Sequence, residues 1–376
     1  MHWRPLAETL ATRAVHPTSR WRPWISALPR HTLVPRWWAR TPHGWRLRDG
    51  RTDPSAWAAT AYQDRSLVTR IGPLHADKAH SGDRPQGMPT SSATEPGLVV
   101  RMFQHARIED GHQLLDVGTG SGYGTALAAC RLGEERVTSI DVDPYVVEAA
   151  RSRLGDLELR PRLDVVDATG PLPGVYDRIV ATVGVRPVPA GWLEALKTGG
   201  RLVTTISGTS LIITADKRAD GAAVGRVEWD RAGFMQARHD DDYAAALPDG
   251  LRHTALHGEG EAVTTGTYPV VDVQEGWDLA SMLAVEAPGT VTGYRADGDE
   301  RTTWLAHPDG SWARATSYGG QLPLVHQNGS RRLWDVLDRI RSYWLQHGEL
   351  PLRGARVKIT PDGHTVLARG SWRATL

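Results

Sequence analysis

The chain has 376 residues, enough for two or three domains, and 40% of them are hydrophobic, which supports a substantial buried core. Its 44 basic and 43 acidic residues give a formal net charge of +1, so composition offers no electrostatic basis for tight binding to nucleic acids or membranes. The single cysteine, Cys130, excludes an internal disulfide and favours a reducing compartment. Because the N-terminus lacks a signal-peptide pattern and no run approaches about 20 apolar residues, we expect a cytoplasmic protein without a membrane span.

Residues 1–80 are rich in Trp and Arg and are predicted to form an N-terminal helical segment. Helical patterns cover Leu6–Val15 and Ala56–Ala61. Residues 73–92 are polar, contain several Gly and Pro, and are predicted to form a long loop. This loop leads into an apolar helix at Gly97–His105.

Residues 81–232 show a regular alternation of short apolar strands and helices. The predicted elements are strand Gln113–Val117, helix Tyr123–Leu132, strand Arg136–Asp141, helix Pro144–Leu154, strands Leu163–Val166 and Arg178–Ala181, helix Ala190–Lys197 ended by Gly199-Gly200, and strand Arg201–Ile206. Such alternation predicts an α/β domain in which a mostly parallel, doubly wound, Rossmann-like sheet is covered by helices on both faces. Further strands are expected at Leu211–Ala215 and Ala223–Glu228.

Residues 233–376 have a different character and are predicted to form a C-terminal α+β domain. Two turn signals, Pro308-Asp-Gly310 and Pro361-Asp-Gly363, lie between alternating segments and indicate hairpins. Leu333, Leu337, Ile340 and Trp344 fall on one face of a helix that Gly348 would end.

The strongest chemical signal is the sequence LDVGTGSGYG at residues 115–124, which follows a predicted strand and opens a helix. Glycines in such a turn let a ligand approach the backbone closely. The dinucleotide fingerprint G-x-G-x-x-G fails here, because the sixth position counted from Gly118 is Tyr123. Asp116 would repel a pyrophosphate and attract an ammonium group. The pattern therefore favours S-adenosylmethionine, which carries an amino group and a sulfonium but no pyrophosphate.

Two further acids end the next predicted strands. Asp141 lies about twenty residues beyond Gly120, where an acid typically accepts hydrogen bonds from ribose hydroxyls. Asp167 ends the following strand and could accept from an adenine amino group. Asp143 is better explained as the N-cap of the helix that starts at Pro144.

Several blocks in order resemble the protein-L-isoaspartate O-methyltransferase family. They are Leu28-Pro-Arg-His-Thr-Leu-Val-Pro35, Ala61-Tyr-Gln-Asp64, Ser92-Ala-Thr-Glu-Pro96, the glycine turn with Tyr123, Val137-Thr-Ser-Ile-Asp141, Tyr176-Asp-Arg-Ile-Val180 and Leu196-Lys-Thr-Gly-Gly-Arg-Leu-Val203. The glycine turn alone marks class I methyltransferases in general, and the upstream blocks indicate the narrower family.

The resemblance implies a set of cofactor-binding residues for S-adenosylmethionine, with Asp116, Gly118 and Gly120 at its methionine end, Asp141 at the ribose and Asp167 at the adenine. The full predicted set is Asp116, Gly118, Thr119, Gly120, Ser121, Tyr123, Asp141, Val142, Asp167 and Ala168. The resemblance also implies that hydroxyls of Thr94, Ser92 and Ser91 place the acceptor carboxylate. Their alternative role is capping of the helix at Gly97–His105. The chain departs from the family at Thr94, at Glu95 and in an insertion at 73–88.

The N-terminal segment and the C-terminal extension together resemble a branch of the family that accompanies ATP-grasp ligases. That resemblance implies methylation of an Asp side chain in a modified precursor peptide, giving an aspartimide or isoaspartate, with the extension recognising the peptide and the ligase as a partner. General isoaspartate repair, a non-catalytic S-adenosylmethionine-binding scaffold and, more remotely, an NAD-dependent oxidoreductase are the alternatives. No metal is expected, since the histidines lack spacings such as H-E-x-x-H.

Overall fold

The computed structural model describes residues 2–239 and 247–376. The helices are α1 (Arg4–Ala14), α2 (Arg22–Ala27), α3 (Arg30–Leu33), α4 (Pro54–Ala61), α5 (Pro96–His105), α6 (Tyr123–Leu132), α7 (Pro144–Gly155), α8 (Ala190–Ala195), α9 (Leu251–His257), α10 (Trp277–Glu286) and α11 (Leu333–His347). The strands are β1 (Arg36–Thr41), β2 (Gly44–Asp49), β3 (Leu67–Ile71), β4 (Leu74–His75), β5 (Pro89–Ala93), β6 (Leu114–Val117), β7 (Val137–Asp141), β8 (Arg162–Val165), β9 (Tyr176–Val185), β10 (Leu196–Ile206), β11 (Leu211–Lys217), β12 (Ala223–Arg231), β13 (Ala262–Thr265), β14 (Val291–Asp297), β15 (Glu300–Ala306), β16 (Trp312–Tyr318), β17 (Leu324–Asn328), β18 (Arg356–Ile359), β19 (Thr365–Arg369) and β20 (Trp372–Thr375).

A central sheet runs in the order β20-β19-β18-β12-β11-β10-β9-β6-β7-β8. The pairs from β8 to β10 are parallel, and the pairs from β10 to β20 are antiparallel. The predicted doubly wound α/β sheet is therefore confirmed, and helix α6 has the predicted bounds. Some boundaries differ: the helix predicted at 190–197 ends at Ala195, and β10 already begins at Leu196, with Gly199 and Gly200 in a stretch where its pairing with β9 shifts register.

The N-terminal region is not only helical. Strands β1 and β2 form an antiparallel hairpin that extends through β3 to β4 and β5 in a separate sheet. The turn of this hairpin contains Gly44 with φ of +103°, and its tryptophans favour extended backbone. The loop predicted at 73–92 is also corrected, since β5 pairs with β3. Polar residues fill β5, so no apolar alternation marked it as a strand.

The C-terminal region is not separate from the central sheet. Both predicted hairpins are confirmed, one between β15 and β16 and the other between β18 and β19. Helix α11 ends at Gly348, which has a φ of +73°. However, β18 pairs with β12, so residues 356–375 extend the central sheet, whereas β13 to β17 form a second five-stranded sheet. Sequence pattern could not reveal this pairing, because the two strands are far apart along the chain.

Two apolar cores lie on opposite faces of the central sheet. On β6, Leu114 packs into the core that contains helices α1, α2, α5, α6 and α7. Its neighbours Leu115 and Val117 pack into the core that contains α8, α10, α11 and the second sheet. Strand side chains alternate between faces, so the N-terminal segment covers one face and the C-terminal extension covers the other.

Candidate active site

A cavity of about 180 Å³ opens at the carboxyl ends of β6, β7 and β9. Three stretches form most of its walls: the glycine turn at 116–124, the hydroxyl-bearing residues 90–94, and residues 233–238. In open α/β sheets, ligands bind at the carboxyl ends of the strands. The position of the cavity therefore agrees with the predicted cofactor site.

The glycine turn brings backbone close to the neighbouring strands. Gly118 has a φ of +98°, and a Cβ atom there would lie 3.0 Å from the Thr182 hydroxyl oxygen. Gly120 has a φ of +51°, and its Cβ would lie 3.2 Å from the Ser92 carbonyl oxygen. Side chains are disfavoured at these positive φ values, so the turn requires glycine and leaves the backbone exposed to a ligand.

Asp116 is a buried carboxylate that accepts hydrogen bonds from hydroxyls. The Thr125 and Ser139 hydroxyls donate to its Oδ2 at 2.7 and 3.0 Å. Burial, with a smaller contribution from the nearby Asp141 carboxylate, raises the pKa of Asp116 to about 6, although the two hydroxyl donors oppose the rise. An ammonium group in the cavity would supply the missing positive charge, so this residue fits the amino end of S-adenosylmethionine.

Asp141 connects the glycine turn to the next strand. Its Oδ2 accepts from the Gly120 backbone N–H at 3.1 Å, and its Oδ1 accepts from that of Asp143 at 3.2 Å. Burial raises the pKa of Asp141, and these two hydrogen bonds oppose the rise. Asp143 caps α7 as predicted, since its Oδ1 accepts from the Tyr145 backbone N–H at 2.9 Å.

The structure brings nine of the ten predicted cofactor residues into the cavity walls. They are Asp116, Gly118, Thr119, Gly120, Ser121, Tyr123, Asp141, Val142 and Ala168. Asp167 does not line the cavity. Its Oδ1 accepts from both the backbone N–H and the hydroxyl of Thr169, and its Oδ2 bonds to His239. Thr169 and His239 thus already engage the Asp167 carboxylate. The contact of Asp167 with an adenine stays a prediction.

Ser91, Ser92 and Thr94 all line the cavity. The Ser91 hydroxyl accepts from the Thr69 hydroxyl at 3.1 Å. Within residues 2–239 and 247–376, no hydrogen-bond partner is found for the hydroxyls of Ser92 and Thr94. These two hydroxyls, and the proton of the Ser91 hydroxyl, are therefore available to an acceptor in the cavity.

The alternative role of these hydroxyls as helix caps is wrong. Glu95 occupies the N-cap position of α5 and makes no side-chain capping bond. Instead, Asp64 Oδ1 accepts from the Gly97 backbone N–H at 2.8 Å. The Asp64 carboxylate, from a distant segment, thus caps α5. The hydroxyls of Ser91, Ser92 and Thr94 are not needed for capping.

Arg30 ties the N-terminal segment to the hydroxyl loop. Its guanidinium is fully buried and donates to four backbone carbonyls, those of Ala61, Gln63, Arg65 and Thr94, at 2.8 to 3.3 Å. It also lies over the Tyr123 ring, 5.5 Å from the centroid. Burial lowers the pKa of Arg30 to about 10, so the group stays protonated at neutral pH.

Sequence reasoning missed several cavity residues. Ser66, Thr182 and Val183 line the walls, as does the whole stretch 233–238. This stretch runs beside the end of β9, where the Gly184 backbone N–H donates to the Met235 carbonyl at 2.8 Å. No motif marks it, and the predicted domain boundary at 233 placed it in the wrong region. Its backbone pairing with Gly184 of β9, around a parallel bridge to Gln236, brings it to the site.

The described part of the chain contains no cluster of three or more His, Cys, Asp or Glu side chains arranged to hold a metal ion. Nor does it contain a helix with the length and apolarity needed to cross a membrane.

The parallel strand order β8-β7-β6-β9-β10, with the glycine turn after the central strand, is that of a class I methyltransferase. Residues 73–232 match the family model described as protein-L-isoaspartate(D-aspartate) O-methyltransferase. The protein-L-isoaspartate O-methyltransferase of Rhodopseudomonas palustris is 30% identical over 160 residues, 40% of this chain and 71% of that protein. The chain therefore belongs to the protein-L-isoaspartate O-methyltransferase family, for which the cofactor is S-adenosylmethionine.

Two further comparisons cover different shares of the chain. The protein of the same name from Thermococcus onnurineus is 35% identical over 139 residues, 36% of this chain. The chain spans only 62% of that relative's length. A solved structure named protein-L-isoaspartate O-methyltransferase aligns with all of this chain and 99% of its own, at 16% identity and a TM-score of 0.49.

Proposed function

We propose that this protein is an S-adenosylmethionine-dependent O-methyltransferase that esterifies an isoaspartyl carboxylate in peptides and proteins. The observation that carries the proposal is a single cavity whose walls contain both the glycine turn with its buried acids and the free hydroxyls of Ser92 and Thr94. Membership of the family supports the same activity.

One side of the cavity would hold the cofactor. Asp116 would bind its amino group, Asp141 its ribose, and the backbone of Gly118 and Gly120 would pass along it. When bound, S-adenosylmethionine supplies a methyl group made electrophilic by the attached sulfonium.

The other side of the cavity would hold the acceptor. Ser92 and Thr94 hydroxyls would donate to one carboxylate oxygen and leave the other oxygen facing the cofactor. A carboxylate is ionised at neutral pH, so these residues need only orient it and no side chain has to remove a proton. Residues 233–238 would cover the site and exclude water.

A second candidate acceptor is a normal Asp in a ribosomally made precursor peptide that an ATP-grasp ligase has already modified, with an aspartimide as the product. The participation of residues 233–238 in the cavity wall favours it, because they lie beyond the segment that matches the family model. In this case the modified precursor peptide and the ligase would be the partners of the protein.

Mass spectrometry after incubation with S-adenosylmethionine would distinguish the two acceptors. We expect a mass gain of one methyl group on a linear isoaspartyl peptide and none on the same peptide with a normal Asp. Methylation only of a cross-linked precursor peptide, followed by loss of methanol, would instead establish the second candidate. If neither peptide gains a methyl group while S-adenosylhomocysteine still binds, the protein is a non-catalytic scaffold.

The role of the hydroxyls is tested by three single variants. Ser92→Ala and Thr94→Val should each lower kcat/KM by about tenfold, since each removes one hydrogen bond to a charged acceptor. Thr90→Val is the matched control, because the Thr90 hydroxyl lines the same cavity but already donates its proton to the Gly72 carbonyl at 2.7 Å, and its kcat/KM should change by less than about threefold. Equal losses in all three variants would contradict the assignment.

A further inference from the structure

A second concave site lies between the hairpin β1–β2, strand β3 and helix α4, with a volume of about 530 Å³. We call it the tryptophan groove, and its walls include Trp38, Trp45, Trp57, Arg40, Arg48 and Arg65. We propose that the tryptophan groove binds an acidic stretch of the peptide substrate, next to the residue that is methylated. The proposal rests on the proposed function and names a specificity site for it.

The tryptophan groove adjoins the active-site cavity. Ser66 belongs to the walls of both, and its hydroxyl accepts from the Glu95 backbone N–H at 3.0 Å. The groove wall at Leu67 and Val68 is also paired directly with β5, the strand that carries Ser92. A peptide whose acceptor residue lies in the cavity can therefore continue past Ser66 into the groove.

The charge of the tryptophan groove favours an acidic ligand. Arg40, Arg48 and Arg65 are exposed, and none has a carboxylate partner among the described residues. Arg40 instead lies over the Trp45 ring, 5.1 Å from its centroid.

The two acids in the groove wall are already engaged. Asp49 pairs with Arg36 and Arg51, and Asp53 caps α4 by accepting from the Ala56 backbone N–H. The exposed charge left in the groove is therefore positive, which steers and selects an acidic partner.

The aromatic walls offer apolar area, and their indole N–H groups are buried. Trp38 is 2% exposed, and its indole Nε1 has no hydrogen-bond partner among the described residues. The same holds for the Nε1 atoms of Trp45 and Trp57. These buried Nε1 atoms do not face a ligand in the groove, so the tryptophan rings contribute apolar contact area. Tryptophan is also among the side chains that are enriched at the hot spots of protein interfaces.

The groove lies outside the segment that carries the cofactor site. Its wall residues run from Trp37 to Val68, and the match to the family model begins at residue 73. Substitutions in the groove can therefore change peptide selection and leave the cofactor site intact.

The test is direct binding of two fluorescein-labelled peptides, measured by anisotropy. Each contains one isoaspartyl residue, flanked on both sides by glutamates in the first peptide and by glutamines in the second. The glutamate peptide should bind about tenfold more tightly. The triple variant Arg40→Glu, Arg48→Glu and Arg65→Glu should remove this preference. Arg46→Glu is the matched control, because Arg46 is exposed on the same hairpin but does not line the groove.

Equal binding of the two peptides, or an equal loss of preference in Arg46→Glu, would overturn the groove proposal. Failure of the proposed function looks different, because the glutamate peptide would still bind preferentially while neither peptide is methylated. Unchanged S-adenosylhomocysteine affinity and thermal unfolding midpoint in the triple variant would show that the fold and the cofactor site are intact.

Discussion

The two sides of the active-site cavity are held together in different ways. The cofactor side is local: Asp116, Gly118 and Gly120 lie within one turn, and Asp141 bonds to that turn from the neighbouring strand. The acceptor side is assembled from afar, with Arg30 holding the Thr94 carbonyl and Asp64 holding the start of α5. The cofactor side therefore depends on the glycine turn itself, whereas the acceptor side depends on residues that do not line the cavity.

The largest expected fall in the free energy of unfolding comes from a substitution on the acceptor side of the cavity. Arg30→Ala leaves four backbone carbonyls without their donor in a buried environment, so we expect the free energy of unfolding to fall by about 3–5 kcal/mol. Urea unfolding measures the loss. Arg13→Ala, at an exposed position on α1, is the control and should change stability by less than about 0.5 kcal/mol. Similar values for the two variants would mean that Arg30 does not hold the acceptor side.

On the cofactor side, Asp116→Asn should weaken binding of S-adenosylhomocysteine by about 10- to 100-fold, because a charge-assisted hydrogen bond to the amino group is lost. Isothermal titration calorimetry measures the dissociation constant. Asp164→Asn is the matched control, since Asp164 pairs with Arg162 and does not line the cavity, and the affinity of this variant should change by less than about threefold. Asp167→Asn, measured beside this control, tests the predicted contact of Asp167 with the adenine. A larger effect at Asp167 would place the adenine beside that residue.

Asp116→Asn should weaken cofactor binding but stabilise the cofactor-free protein. Burial raises the pKa of Asp116 from 3.8 to about 6, so the folded protein resists an ionisation that the unfolded chain permits. The charge therefore destabilises the cofactor-free protein progressively as the pH rises from about 4 to about 6, and fully above that range. Asp116→Asn should be more stable than the parent at pH 7.5, by on the order of 1–2 kcal/mol, and no more stable near pH 4. Urea unfolding at both pH values tests this, and a variant less stable at pH 7.5 would contradict it.

The smallest expected loss of stability comes from removing either of two aspartates that cap helices. Asp64→Ala and Asp53→Ala each remove a carboxylate that caps a helix, so each should cost about 1 kcal/mol in unfolding free energy. Only Asp64→Ala should also raise KM for the peptide, because α5 begins directly after the hydroxyl loop. Steady-state kinetics and urea unfolding together separate the two effects. Equal KM values would show that the acceptor side tolerates a loosened helix start.

This contrast also explains which parts the sequence could predict. The glycine turn, the bounds of α6 and the Asp143 cap depend on residues close together in the chain, and their patterns predicted them correctly. Asp167 is expected from the sequence to end its strand, but β8 ends at Val165, and Thr169 engages the Asp167 carboxylate in a local turn. A strand-end position alone could not reveal that competition.

The remaining errors come from long-range pairing. Residues 233–238 reach the cavity through backbone pairing with β9, and β5 pairs with β3. Neither stretch has an apolar alternation of its own. The arrangement of such segments is decided by tertiary contacts, which a single sequence does not display.

The pairing of β12 with β18 has a consequence for synthesis. Ala223 pairs with Ile359, so the sheet that carries the cofactor turn stays open at β12 while the ribosome is still producing the second sheet and α11. An open strand edge is a template for pairing with other chains. The nascent protein therefore carries a complete glycine turn before its central sheet is complete. Chaperone protection during translation should matter more for this chain than for a compact single-sheet enzyme.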